Sequence, residues 1–147
     1  MEVSRWRLIR KRQKCRRYYK MSQNEKRLAA FRGAVCVENT AESITENVCL
    51  MCRELFSRNN IKAEDIVSLQ FSITDDITVL NPATALRRGN PGLDVSQVPL
   101  FCCQEAKITG GMPLVVRALL TVYVDQGQER HNVYLNGAEK LRPDLKK

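Results

Sequence analysis

Seven side chains in this 147-residue chain stand apart from their neighbours by chemical type: Arg32, Arg87, Arg117, Arg142, Glu105, Tyr134 and Cys102. Four guanidiniums, one carboxylate and one phenol suit a small dianion that carries a hydroxyl. Arginine's planar fork grips a carboxylate through two parallel bonds, which lysine cannot do. Arg117 is the sharpest signal, since it is the one charge within VVRALL. Burying an unpaired charge is costly, so Arg117 implies an anion. That anion is either Glu105, in a structural ion pair, or a ligand. The chain offers no Ser/His/Asp set, no phosphate-cradling glycine loop and one histidine, His131, outside the apolar strands. Such an inventory suits a reaction that needs positioning and charge stabilisation rather than a nucleophile or a proton shuttle. On residue types alone the bland alternatives stand beside it. Arg117 pairs with Glu105, Arg32 pairs with Glu38 or Asp125, and Tyr134 is a core phenol.

These residues need elements to position them. Leu28–Val37 has strand character, with Arg32 and Gly33 inside it. Asn39 followed by Glu42 reads as a capping box opening a helix whose apolar face holds Ile44, Val48, Met51, Cys52 and Leu55, and Asn59-Asn60 ends it. Cys49 and Cys52 are formally CxxC, but without a second pair they read as helix-face packing. Ile66–Thr74 alternates, with Val67, Leu69, Phe71 and Ile73 on one side and Ser68, Gln70, Ser72 and Thr74 on the other. Pro82 starts a short helix, ATALRR, carrying Arg87. A Gly89–Gly92 loop reads as mobile, and Val98–Gln104 is the next strand. After Thr109-Gly110-Gly111 comes a long strand, Val115–Asp125, turning at Gly127 into a hairpin partner, His131–Leu135. Ala138–Leu145 closes the chain. Strands outnumber helices, and one good helix must cover a mixed sheet, so the class is α+β, with one main helix plus a short one.

Composition bounds the rest. The net charge is +8, yet residues 1–20 hold nine basic residues and one acidic, so residues 21–147 are neutral with fifteen of each sign. A nucleic-acid role could rest only on that block, where Trp6, Tyr18 and Tyr19 could stack on bases. An organellar transit peptide is a further reading, and a disordered extension ahead of Met21 is the preferred one. We therefore divide the chain into residues 1–24, a basic extension, and residues 25–147, one domain. No apolar run is long enough to span a membrane. The six cysteines form no obvious disulfide framework, which fits reduced thiols and a cytoplasmic protein.

Four segments carry a resemblance: FRGAVCVENTAESI, SITDDITVLNPATALR, VPLFCCQEAKITGG with Arg117 beyond it, and VYLNGAEKLRPDL. In order, and from about Leu28 to Leu145, they resemble the monofunctional bacterial chorismate mutases of the trimeric α+β class, not the all-helical class. The resemblance implies a homotrimeric pseudo-α/β-barrel with active sites between subunits and no cofactor or metal. It also implies the Claisen rearrangement of chorismate to prephenate, a step in phenylalanine and tyrosine biosynthesis. On this resemblance Arg117 meets the ether oxygen, while Arg32 and Tyr134 hold the side-chain carboxylate. Glu105 and Cys102 meet the ring hydroxyl, and Phe101, Cys102, Cys103, Gln104 and Glu105 line the cleft as one strand. Arg87 closes over the site or guides substrate in, and Leu141 with Arg142 forms a C-terminal flap. Asn81, Thr84, Phe101 and the RRGNPGLD loop depart from the family pattern. Chorismate is the expected partner; membrane and nucleic acid are not. The alternatives are a trimeric small-molecule-binding or imine-deaminase-like protein, against which CCQE and LRPDL speak, and a nucleic-acid-binding module acting through the basic arm.

Overall fold

The structure, a computed structural model, describes residues 25–145. The basic block, Cys15 and the Met21 start lie outside the described residues. Five strands form one mixed sheet in the order β3-β2-β4-β1-β5. They are β1 (Lys26–Cys36), β2 (Ile66–Ile73), β3 (Leu100–Gln104), β4 (Val115–Asp125) and β5 (Val133–Leu135). β4 runs antiparallel to both neighbours, and β3 and β5 extend the sheet in parallel with β2 and β1. Helices α1 (Ala41–Arg58) and α2 (Pro82–Arg88) cover one face, giving the α+β class expected. No helix among the described residues is long and apolar enough to cross a membrane.

The strands follow a period of two. Phe31 and Val35 of β1, Leu69 and Phe71 of β2, and Val116 and Leu120 of β4 are buried against Ile44, Val48, Met51 and Leu55 of α1. Burial of each such side chain contributes roughly 1.5–3 kcal/mol. Cys49 and Cys52 are buried on α1 as helix-face packing requires. Among the described residues the opposite face of the sheet carries no α-helix.

Local details depart from the sequence reading at four points. The helix cap is Thr40 rather than Asn39: its hydroxyl accepts from Ser43 N at 3.2 Å, and Ser43 Oγ accepts from Glu38 N at 3.0 Å. Asn39 instead accepts from the backbone of Thr78 and Val79. In β2 a register shift between Ile66 and Ser68 turns Val67 out to solvent, 40% exposed. The Gly89–Gly92 loop is tied to α1, Arg53 Nη2 donating to Asn90 O at 2.5 Å. Finally, β5 does not pair back on β4. Both edges of β4 are already occupied, by β1 and β2, so the chain crosses to the far side of β1. The buried Asn59 at the end of α1 guides that crossing, accepting from His131 N at 2.9 Å and donating to His131 O at 2.8 Å.

Gly33 sets the spacing between sheet and helix. A Cβ there would lie 2.9 Å from both Leu55 Cδ1 and Met51 Sδ, two side chains fully buried beneath β1. Gly33→Ala is therefore expected to destabilise the protein by about 1–3 kcal/mol through overpacking, read as a lower urea midpoint at unchanged slope.

Candidate active site

On the uncovered face the register brings one residue from each strand into a single row. Cys103 of β3 pairs with Ser72 of β2, Ser72 with Arg117 of β4, Arg117 with Ala34 of β1, and Ala34 with Tyr134 of β5. Arg32 stands one step along β1, opposite Leu119. A cleft of about 490 Å³ opens over this row, walled by Arg32, Ser72, Cys103, Arg117, Tyr134 and Arg142 among others. Ala34 is buried in the middle of the row and clusters with Val115 and Ala138, against which Tyr134 and Leu141 pack. Its lone methyl leaves room above the sheet between the arginine and the phenol.

Arg117 is half-buried, and its Nη1 pairs with Glu105 Oε2. Glu105 Oε1 accepts from Ser72 Oγ at 2.6 Å. Glu105 follows β3 and is held by its own N–H, which donates to Ile73 O at 2.8 Å. Asp76 fixes the entry to β4, its carboxylate accepting from Leu114 N at 3.1 and 3.0 Å. Arg32 is exposed and has no ion-pair partner among the described residues; neither Glu38 nor Asp125 reaches it. Its backbone N–H donates to Asn132 Oδ1 at 2.9 Å.

The C-terminal residues fold over this face as two short turns, Ala138–Leu141 and Pro143–Leu145. Leu141, like Tyr134, packs against the small cluster of Ala34, Val115 and Ala138. Arg142 grips Asp144 bidentately, at 2.7 and 3.0 Å. That fork holds the Asp144 carboxyl below its ordinary range and raises Arg142 above its own, with Tyr134 adding a smaller contribution to Arg142.

The cleft thus brings together Arg32, Arg117, Tyr134, Leu141, Arg142 and Cys103, with Glu105 behind Arg117. Three expected positions lie elsewhere. Arg87 is exposed on α2, within the helical layer on the other side of the sheet. Cys102 pairs with Phe71 and packs on the helix-facing core, and it is not among the residues that line this cleft. Burial also pushes the Cys102 thiol's pKa up. Gln104 pairs with Ile73 on the same side as Cys102. The expectation that five consecutive residues line one cleft gives way to the strand's period of two: Phe101, Cys103 and Glu105 share the open face. What Cys102 and Gln104 do present is main chain. Leu69 donates to Pro99 O and Glu105 to Ile73 O, so the intervening N–H groups of Cys102 and Gln104 point to the free edge of the sheet. Phe101 is 64% exposed, one step along from Cys103. Sequence reading missed Ser72, Gln70, Ala34 and Leu119 as cleft residues. For Ser72 the signal existed, since it lies on the polar side of an alternating strand.

The arrangement can hold a dianion between separated guanidiniums, accept a hydrogen bond at Glu105 and place a cation against an oxygen gaining charge. Comparison with known proteins agrees with that chemistry. The family model for chorismate mutase type I matches residues 28–145. Chorismate mutase AroH of Bacillus subtilis is 36% identical over 121 residues, covering 80% of this chain and 92% of the relative. Chorismate mutase AroH of Thermus thermophilus is 34% identical over 118 residues, covering 78% and 93%. Among solved structures, the chorismate mutase from Clostridium thermocellum superposes with a TM-score of 0.67 at 29% identity, covering 76% of this chain and 98% of that one.

Of the five cysteines in the described residues, Cys103 is exposed beside the cleft, whereas Cys49 and Cys52 are buried and their thiols are pushed upward by that burial. Since the thiolate is the reactive form, iodoacetamide at pH 8 is expected to label Cys103 ahead of Cys49 and Cys52, as read by peptide mapping over time.

Proposed function

This chain belongs to the chorismate mutase type I family, and from that premise we propose how its residues carry the reaction. The enzyme is an isomerase that converts chorismate to prephenate, serving aromatic amino acid biosynthesis. In the rearrangement the ether C–O bond breaks as a C–C bond forms within one molecule, and no proton leaves. Negative charge grows on the ether oxygen on the way. In this reading Arg117, half-buried on the central strand, faces that oxygen. It stabilises the transition state more than the substrate, which is where binding energy becomes rate. Because β4 is paired on both sides, the guanidinium is in place before the reaction starts.

Arg32 and Tyr134 hold the side-chain carboxylate in this assignment, and Glu105 accepts from the ring hydroxyl. Phe101 and Cys103 line the wall, Cys102 and Gln104 offer edge N–H groups, and Leu141 with Arg142 closes the C-terminal side. The observation that carries the assignment is the single row Cys103–Ser72–Arg117–Ala34–Tyr134, which gathers distant parts of the chain on one face.

The assembly we assign is a homotrimer of the 25–147 domain, closed as a pseudo-barrel, with residues 1–24 an extension. Leu28, Phe101, Leu119 and Tyr123 stand 56%, 64%, 40% and 48% exposed on the uncovered face, an apolar surface that a second copy would bury. Arg87, on the far layer, could reach a cleft only on a neighbouring subunit.

Loss of chorismate absorbance on the purified chain tests the reading. Arg117→Ala, and replacement of Arg117 by its neutral isostere citrulline, are each expected to cut kcat by about 10³-fold, since each removes the charge that meets the developing anion. Citrulline at parental speed would overturn the electrostatic role. Sedimentation equilibrium is expected to return three times the chain mass, and a monomer at micromolar concentration would overturn the shared-cleft assembly.

A further inference from the structure

We infer that Ser72 is a positioning residue of this reaction, acting through Glu105; the inference rests on the functional reading just given. Ser72 lies in the cross-sheet row between Cys103 and Arg117, its side chain half-buried in the cleft wall. Its Oγ donates to Glu105 Oε1 at 2.6 Å, while Arg117 Nη1 takes Oε2. The two carboxylate oxygens are thereby divided between two strands.

That division decides what Arg117 can still do. A carboxylate free to turn beside an arginine takes both prongs of the guanidinium fork. Such pairing would commit two of the five N–H donors to Glu105 and turn the arginine's open edge from the cleft. With Oε1 held by Ser72, the pair is confined to one bond. Nε and Nη2 of Arg117 then have no partner among the described residues. Those are the donors free to meet an oxygen as it becomes anionic.

The alternating neighbours of Ser72 along the chain do not duplicate this. Thr74 is occupied by Asp76 and by Val115 N, and Gln70 is exposed. The backbone pairing of Ser72 with both Cys103 and Arg117 also fixes the distance. A short hydroxyl reaches Glu105 there, while a longer polar chain would enter the cleft.

Steady-state turnover of chorismate by the full chain tests the role. Ser72→Ala is expected to lower kcat about tenfold with KM changed less than about threefold, because the loss falls on transition-state contacts. Ser72→Thr, which keeps the hydroxyl, should recover most of that loss. In a Glu105→Gln background, Ser72→Ala should cost less than about twofold more, since residues acting through one another are not additive. A Ser72→Ala enzyme within about twofold of the parent would overturn the inference. So would a tenfold loss that recurs undiminished beside Glu105→Gln, which marks a merely structural serine. A parent chain that leaves chorismate untouched overturns the functional reading instead.

Discussion

A guanidinium in the middle of a five-stranded sheet needs an answering charge, and the pairing of Arg117 with Glu105 is the interaction on which this molecule turns. Neither partner could be placed by local structure alone. Arg117 is held by β1 on one side and β2 on the other, and Glu105 arrives from the far edge, where β3 ends. The carboxylate offsets the arginine's desolvation without closing it off, because one oxygen is claimed by Ser72. The charge is therefore compensated within the chain and still has donors to give.

The sheet has two faces with different work, and adjacent residues on β1 show how tightly they are coupled. Gly33 faces the helix layer, where Met51 and Leu55 leave no room for a Cβ. Ala34 faces the other way, where its small side chain keeps space between Arg117 and Tyr134. Gly33 sets how closely the helix packs, and Ala34 sets how wide the cleft opens. Arg32 stands beside them, its side chain without an ion-pair partner among the described residues.

Much of this could be read from residues alone. The apolar stripe of α1, the alternation in β2 and the single charge in β4 are local signals, and each maps onto an observed element. What escaped was set by tertiary pairing. Nothing near His131–Leu135 says that β4 has no free edge, so a hairpin is the natural reading and the crossover to β1 is not. The resemblance sets Cys102 with Glu105 at the ring hydroxyl, whereas strand parity gives the open face of this chain to Cys103. Thr40 and Asn39 are both good caps, and the bonds that Asn39 accepts from Thr78 N and Val79 N decided between them. Ser72 sat in plain view as one of four polar residues on one side of an alternating stretch, and only the cross-strand register singles it out.

The placement of β4 also has a consequence for biosynthesis on the ribosome. β1 and β2 emerge first, parallel to each other, and are kept apart by the width of the strand that will later fill the gap. Lys26 must wait for Asp125, and Ile73 for Val116. Until the last third of the chain is released, two apolar strands have unsatisfied edges, a state that is slow to resolve and exposed to misassociation. The segment bearing Arg117 is thus also the keystone of folding, and the cleft becomes competent only when the sheet itself is complete.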